Sequence, residues 1–544
     1  MALHTIIHSL VGKRSPSCNK PRGFHVIHNK MQTPEQEKSS RIVRNTLFLY
    51  GQMFVQLVVA LFTARMLFNA LGVVDYGIYN VIGGVVMVFT ILNNVEGATI
   101  RFLTYDIGKG RTTEEVHLMF STAQIVHAII ALTILLLAET AGLYYVYHYL
   151  VVPPERLNAT LVVYQFSVVS VLFSVICIPY EGLLIAHEKM KAFASLGIMQ
   201  TLLGVVIVLL VKYSPTDKLI LYGALVLLVQ VTVRIVYGIY CKRHFPEVAG
   251  RWLFNKSLFF KMLKFAGWTF NGTVAWMAFT EGVNLLLNAF FGPVMNAARG
   301  IAFTVQQKVG DFASKFLAAV NPQIVKSVAQ NDYTYLHKLL ITSSRFSLLL
   351  LFILSLPILL ETKAILHLWL GQVPDYTIDF TRLALLSIMV DTLGRILIMT
   401  IHATGKIAKF QMIEANILLL IVPIAYVCLK LGCSPVAVYI TQLAVFVVAQ
   451  AARVIIVCPA VRMKCSTYLH SIVLRSLLCM GVACLPPLLV WQLISPMSSE
   501  IGHLVIITAV SLLSSCTATF YIGCNQEMRH FILRKLTQKL KHTP

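Results

Sequence analysis

Phe193-Ala-Ser-Leu-Gly-Ile-Met-Gln-Thr-Leu-Leu-Gly-Val-Val-Ile-Val-Leu-Leu-Val-Lys212, then Tyr213-Ser-Pro-Thr-Asp-Lys218, then a second apolar run over 219–241: this stretch decides the fold. Each run holds about 20 mostly apolar residues, the number a helix rising about 1.5 Å per residue needs to cross a hydrocarbon core of about 30 Å. The short polar segment between them is a turn. Outward in both directions the pattern recurs, from Asn45-Thr-Leu-Phe-Leu to about Gly523. Spans fall near 46–66, 78–104, 118–146, 160–186, 193–212, 219–241 and 260–291, then near 296–320, 337–360, 379–403, 409–430, 435–458, 470–494 and 502–523. With 57% hydrophobic and 12% charged residues over 544 positions, the composition lies outside that of soluble domains. The chain reads as an all-α polytopic membrane protein of about 14 transmembrane helices.

Lysine and arginine are retained on the cytoplasmic side of a membrane protein. With the N-terminus inside, inward connections carry Lys109, Arg111, Lys189, Lys191, the cluster over 242–264, Lys326, Lys338, Lys406, Lys409, Arg462, Lys464 and the basic tail. Outward connections carry Arg156, Lys212, Lys218, Lys363, Lys430 and little else. An even number of spans with both termini cytoplasmic satisfies this alternation. The net charge of +22 is thus dispersed over inner loops, where it orients the chain and meets anionic lipid head groups; no nucleic-acid partner is expected. The eleven cysteines show no CxxC or Cys/His ligand spacing and read as small apolar fillers. No GxxxxGK[ST] loop and no nucleophile–base constellation is present, so neither ATP hydrolysis, a metal, a cofactor nor an enzyme activity is expected.

Residues 1–40 mix Lys13-Arg-Ser-Pro, Lys20-Pro-Arg-Gly and Gln32-Thr-Pro-Glu-Gln-Glu-Lys without a long apolar run. They read as a disordered cytoplasmic extension, within which Met31 offers an alternative start.

The remainder repeats after about 220 residues. Ala70-Leu-Gly-Val-Val, between the first two spans, parallels Phe290-Phe-Gly-Pro-Val, between the seventh and eighth. His117 and His337 open the third and ninth spans, and Ala186-His-Glu-Lys-Met-Lys-Ala-Phe193 resembles Ala403-Thr-Gly-Lys-Ile-Ala-Lys-Phe410. Six helices align with six, which implies parallel repeats about an axis normal to the membrane, as in transporters. The expected divisions are a six-helix lobe over 41–245, a second over 246–460, two further transmembrane helices over 461–525 and a basic cytoplasmic tail over 526–544.

Ionisable groups inside spans are costly and mark function by default. In the eighth span Thr304, Lys308, Asp311 and Lys315 fall four, three and four apart, one helical stripe with a carboxylate between two ammonium groups. Arg299 and Gln306 form a neighbouring stripe. The seventh span offers Glu281, Asn284 and Asn288 along one face, and the second offers Asn94, Gly97, Arg101 and Thr104. Interfacial lysines can snorkel and buried charges can neutralise one another; against that reading stands a water-filled cationic path between the halves, suited to an anionic substrate such as a pyrophosphate. In it Arg101, Arg299, Lys308 and Lys315 bind substrate, Asp311 and Glu281 tune or couple, and Asn94, Asn284, Asn288 and Gln306 line the path. Asp391 and Arg395, four apart, pair; Glu139, Glu181, Arg234, Glu414 and Arg453 suit interfaces or helix contacts.

Asn45-Thr-Leu, Leu71-Gly-Val-Val-Asp-Tyr-Gly-Ile-Tyr-Asn-Val-Ile-Gly-Gly, Thr99-Ile-Arg-Phe-Leu-Thr, Asn296-Ala-Ala-Arg-Gly-Ile-Ala, Asn321-Pro-Gln-Ile-Val-Lys-Ser and Ala403-Thr-Gly-Lys-Ile together resemble bacterial polysaccharide biosynthesis proteins of the lipid-linked repeat-unit flippase type. The resemblance covers about residues 41–525. It implies the multidrug/oligosaccharidyl-lipid/polysaccharide exporter fold: two pseudo-symmetric six-helix lobes around a central cavity, plus two C-terminal helices. It also implies movement of an undecaprenyl-diphosphate-linked oligosaccharide from the cytoplasmic to the periplasmic leaflet of a bacterial inner membrane, for O-antigen lipopolysaccharide, capsule or related glycan. Partners would be that lipid-linked oligosaccharide, membrane lipids and polysaccharide assembly proteins, with proton or sodium coupling in some relatives. The competing expectations are a drug or peptidoglycan-precursor exporter of the same superfamily and, from another class, a membrane polysaccharide polymerase or ligase. The short outward connections near 147–158 and 361–378 argue against the last.

Overall fold

The computed structural model describes residues 34–93, 95–405, 407–494, 500–524 and 529, with side chains from residue 55 onward except at a few helical positions, Lys315 among them. Asn94, the stretch 1–33 and nearly all of the expected basic tail lie outside the described residues. A helix begins at Pro34, inside the stretch expected to be disordered.

Among the described residues the elements are helical, with no strand. In chain order they are α1 (Pro34–Phe89), α2 (Glu96–Gly108), α3 (Thr113–Leu137), α4 (Leu143–His148), α5 (Leu157–Ala186), α6 (Met190–Tyr213), α7 (Lys218–His244), α8 (Lys256–Met277), α9 (Val283–Phe291) and α10 (Pro293–Ala329). They continue with α11 (Tyr333–Leu360), α12 (Thr362–Leu370), α13 (Thr377–Thr404), α14 (Ile407–Leu419), α15 (Ile421–Lys430), α16 (Val436–Ala460), α17 (Cys465–Tyr468), α18 (Arg475–Ile494) and α19 (Glu500–Ala518). Wide π turns join α3 to α4, α8 to α9 and α17 to α18, so each of these pairs runs on as one rod. Local chemistry sets the helix starts. Thr112 and Glu115 form a reciprocal capping box at α3, and Asp217 and Asp332 accept from backbone amides at the heads of α7 and α11.

Twelve of these rods are long and apolar enough to cross a membrane. Two features account for the difference from about 14. The expected spans 46–66 and 78–104 share the continuous stretch of α1, which bends at Gly72 and gives way to a 3₁₀ turn over Thr90–Asn93 before α2. The expected span 296–320 lies within α10, whose ionisable stripe makes it too polar to count by composition.

The repeat is written in the backbone. Gly72 (φ 79°, ψ 173°) and Gly292 (φ 74°, ψ −171°) adopt one conformation, a region open essentially to glycine alone. Left-handed residues recur in register after the second and eighth passes, at Gly110 and Asn331, and after the fourth and tenth, at Glu188 and Gly405. His117 contacts the backbone carbonyls of Glu247 (2.7 Å) and Arg251 (3.0 Å), just beyond the sixth pass of its lobe. His337 makes the equivalent contact to Val461 (2.8 Å), just beyond the sixth pass of the other. Arg234 on α7 and Arg453 on α16 also correspond: Arg234 pairs with Glu181, and Arg453 is held by Asp391 (3.0 Å) and Glu414 (2.7 Å). The matched histidines and arginines are therefore scaffold, fastening each lobe to itself.

Association of helices in lipid rests on close packing and interhelical hydrogen bonds, because the tails are as apolar as leucine. One lobe packs around Ile78, Ile82, Val163 and Tyr164 at one end and Met119, Phe120, Leu183 and Val233 at the other. The second packs around Ala298, Ala302, Phe380 and Ile421, and around Phe316, Leu340, Phe410 and Val457. The α18–α19 pair docks on α11 through Leu349, Cys479 and Ala483, and Arg345 and Arg475 donate to the last carbonyls of that unit, Gly523 (3.1 Å) and Ile522 (2.8 Å). Cations at a helix C-terminus are stabilised by its dipole.

The lobes meet at the end where Gly72 and Gly292 lie. Leu67, Phe68, Tyr76 and Val208 of one lobe share an apolar cluster with Ala297, Ile301, Leu366 and Leu370 of the other. Backbones approach closely: a Cβ on Gly77 would stand 2.0 Å from the Pro293 carbonyl oxygen, and one on Gly300 would stand 2.7 Å from the Asn80 side chain.

Candidate functional site

Below this apolar seal lies a cavity of about 630 Å³, within the roughly 300–1,000 Å³ typical of pockets that enclose a small ligand. Its walls come from both lobes: Gln56, Thr63 and Leu67 of the first limb of α1, Tyr76, Tyr79 and Asn80 of the second, Gln200 and Thr201 of α6, and Tyr222 of α7. The opposing lobe supplies Phe303, Thr304, Gln307 and Lys308 of α10. From Gln56 to Leu67 the wall extends about 16 Å along the helix axis at about 1.5 Å per residue. Its character is neutral-polar and aromatic, with Lys308 as the ammonium among the wall residues. The Lys308 Nζ lies 4.0 Å from the Asp311 carboxylate, a contact at the limit of an ion pair, and Asp311 is about half exposed. The ammonium therefore keeps most of its donor capacity for something in the cavity.

The other sequence-predicted residues divide by depth. Arg299, 7% exposed, donates to the Thr280 carbonyl and lies over the Phe303 ring with 5.3 Å to its centroid. It thus stands behind an aromatic that faces the cavity. Gln306 is buried, whereas its neighbour Gln307 reaches the wall. Arg101 sits on the exposed side of α2, outside the wall. The Lys315 side chain and Asn94 lie outside the described residues.

Asn284 and Asn288 are buried at 2% and 0% exposure and join the lobes. Asn288 accepts from the Val151 amide (3.0 Å) and donates to the Val151 carbonyl (3.2 Å) and to Asn296 (3.0 Å). Asn296 donates to the side-chain oxygen of Asn284 (2.8 Å), and the side-chain NH2 of Asn284 donates to the Asn80 carbonyl (3.1 Å). Glu281 and Asn284 both overhang Gly84 of the facing limb. These residues form a ladder across the closed end of the cavity.

A second cavity, of about 450 Å³, opens within the other lobe beside Trp276, Gln411 and Phe446. Its charges are mutually satisfied: Arg453 bridges Asp391 and Glu414, and Arg395 binds Asp391 (3.0 Å) and the Ser314 hydroxyl (2.6 Å). The expected Asp391–Arg395 pair is present. Breaking such a buried network is destabilising, and it leaves no free charge for a ligand.

Sequence reasoning did not single out Gln56, Tyr79, Gln200, Thr201 and Tyr222. Neutral side chains inside apolar spans look like packing; Thr201 bonds its own helix at the Gly197 carbonyl (2.8 Å). Each of these apolar spans carries a polar residue, but that they meet at one cavity is visible only once the packing is known.

Two pseudo-symmetric six-helix lobes that enclose a polar cavity between them and seal it at one end define a two-lobe helical membrane fold. The family model for "Polysaccharide biosynthesis protein" matches residues 42–320, just over half of the chain. The chain belongs to that family. No curated protein matches it. Among solved structures it is similar to the lipid II flippase MurJ in an inward closed conformation, with a TM-score of 0.64 and 13% identity over 88% of this chain and 98% of that one. It is similar also to an inward-facing multidrug resistance MATE family transporter of the MOP superfamily (TM-score 0.58, 13% identity, 77% and 94% covered). A MOP superfamily transporter from Pyrococcus furiosus gives 0.54, 14%, 79% and 96%. At such identities the likeness is one of fold, and it is the two-lobe fold expected from the repeat.

Proposed function

We propose that this protein is a flippase for a lipid-linked oligosaccharide, carrying the diphosphate and sugars of an undecaprenyl-diphosphate-linked repeat unit through the interlobe cavity from the cytoplasmic to the periplasmic leaflet. It works as a transporter and not as an enzyme. The observation that carries this reading is the wall of the cavity: hydroxyls, amides and tyrosines, which suit sugars, beside Lys308, which suits a phosphate oxygen through a charge-assisted hydrogen bond. A pocket of about 630 Å³ accepts a head group and leaves the polyprenyl chain in lipid. Membership of the polysaccharide biosynthesis family supports the same cargo class.

In this reading the membrane is the bacterial inner membrane and both termini are cytoplasmic, an orientation that the distribution of lysine and arginine supports. The asparagine ladder and apolar seal then close the periplasmic end. Lys308 holds the diphosphate in the cavity, and Arg299, from behind Phe303, adds positive potential there; Arg101 and Lys315 attract the diphosphate from the cytoplasmic side; Asp311 tunes Lys308. The lobes, taken as 41–245 and 246–460, rock about the site and break the ladder to release cargo.

Binding by the purified full-length protein tests the cargo class. Native mass spectrometry with undecaprenyl-diphosphate oligosaccharide, lipid II and a cationic drug should show retention of the oligosaccharide carrier, weakened by Lys308→Gln. Retention of lipid II or the drug alone would overturn the assignment in favour of the corresponding exporter.

A further inference from the structure

A groove of about 610 Å³ lies on the other side of the first limb of α1 from the cavity, at the sealed end. It is lined by Phe62, Arg65, Met66 and Asn69 of α1, Lys212 at the end of α6 and Lys218 at the start of α7. Three cations face one groove, and no carboxylate is among its lining residues. None of the ion pairs among the described residues involves Arg65, Lys212 or Lys218. The carboxylate next in sequence to Lys218, Asp217, is already engaged: it accepts from Arg156 (2.6 Å) and from the amides of Leu219 and Ile220. The Arg156 hydrogen bond holds its carboxyl below the usual carboxylate range.

These charges do not serve orientation, because the positive-inside rule places cations at the opposite end. Cations at the outer end of a bundle that otherwise avoids them have another use. The groove also runs along two helices that line the cavity. Val208 and Lys212 are four apart on α6, and Tyr222 and Lys218 are four apart on α7, so in each helix a cavity residue and a groove residue share one stripe. On α1, Thr63 and Leu67 face the cavity while Arg65 and Asn69 face the groove. The limb of α1 is therefore a partition between them.

We propose that this groove is an outer-leaflet phosphate site, in which Arg65, Lys212 and Lys218 receive the phosphates of an anionic lipid head group while Phe62 and Met66 contact its chain. An arginine engages two phosphate oxygens at once, and two lysines add point charges. The same chemistry has two sources: the diphosphate of the delivered carrier lipid, or the phosphate of a resident anionic phospholipid. The placement in the outer leaflet rests on the orientation given under the proposed function; the site itself does not depend on Lys308.

The test uses full-length protein in nanodiscs carrying a fluorophore on Asn69→Cys, in a background freed of reactive cysteines, titrated with undecaprenyl diphosphate or with phosphatidylglycerol in neutral lipid. Saturable quenching by either lipid is expected, at least tenfold weaker in Arg65→Gln/Lys212→Gln/Lys218→Gln, restored by Arg65→Lys within the otherwise native chain, and unchanged by Lys363→Gln. Quenching by the carrier that phosphatidylglycerol fails to displace assigns the groove to delivered cargo; displacement assigns it to a resident lipid, and both support the site. Lys308→Gln should leave the response intact, so loss of cargo binding in the cavity and loss of the groove are read separately. Equal responses of the triple variant and the parent, or none to either phosphate lipid, would overturn the proposal.

Discussion

Replacing Asn288 by alanine should loosen the closed end of the transporter without unfolding it. The side chain makes three hydrogen bonds, and the two with Val151, at 3.0 and 3.2 Å, cross from one lobe to the other. Interhelical hydrogen bonds in membrane bundles contribute about 0.6 kcal/mol on average and up to about 1.7. Two of them therefore hold the seal by about 1.2–3.4 kcal/mol, a change of roughly 7- to 250-fold in the closed-to-open ratio at about 1.4 kcal/mol per factor of ten. The third bond, to Asn296, lies within one lobe and lowers stability equally in both states. Spin labels at Tyr213 and Leu431, exposed at 76% and 78% at the outer end of the two lobes, report the opening. Pulsed electron-spin distances should show a longer second population in Asn288→Ala that is minor in the parent. A distribution identical to the parent, in a variant that still elutes as folded protein, would refute the idea that the ladder is a gate.

Lys308→Gln should lower the initial rate of glycan transport at least tenfold at unchanged abundance, with Lys308→Arg retaining most activity; equal rates for the glutamine variant would count against a phosphate contact. A cysteine replacing Lys256 should react with an impermeant maleimide only in permeabilised cells, and one replacing Tyr213 in intact cells; the exposed natural Cys433 and Cys516 must first be replaced. The Arg156–Asp217 pair should be insensitive to mild acid. Because the Arg156 contact depresses the Asp217 pKa, its stabilisation is present above the ordinary carboxylate pKa, near 4, and is lost only as pH falls through the lowered value. The melting-temperature difference between the parent and Asp217→Asn should therefore stay constant from pH 8 to pH 5, and a difference fading over that range would contradict the pair.

The spans were legible because the hydrocarbon core imposes both a length and a composition, so helices such as α6, α7 and α16 fall within a few residues of their expected places. The two lobes were legible through Gly72 and Gly292, since a conformation restricted to glycine leaves a mark in sequence. The cavity was less so. Periodicity finds a polar stripe on α10, but the rotation of that helix is set by what packs on its other sides, and one residue is a turn of about 100°. That is why Gln307 faces the cavity while Gln306 is buried. Asn284 and Asn288 share the composition of a wet wall, yet their partners belong to the other lobe, more than a hundred residues away. No local pattern encodes that distance.

The central claim is that a lipid-linked oligosaccharide crosses the bilayer through the interlobe cavity. Its direct measurement is transbilayer movement of a defined undecaprenyl-diphosphate oligosaccharide in proteoliposomes, read as carrier that becomes accessible to an impermeant glycosidase added outside. The account predicts movement with the parent, a rate at least tenfold lower with Lys308→Gln, and a rate reduced toward that of protein-free vesicles when a bifunctional thiol cross-linker joins cysteines in place of Leu67 and Ile301 of the interlobe cluster. Movement no faster with the parent than in protein-free vesicles, or equally fast in the locked form, would contradict it.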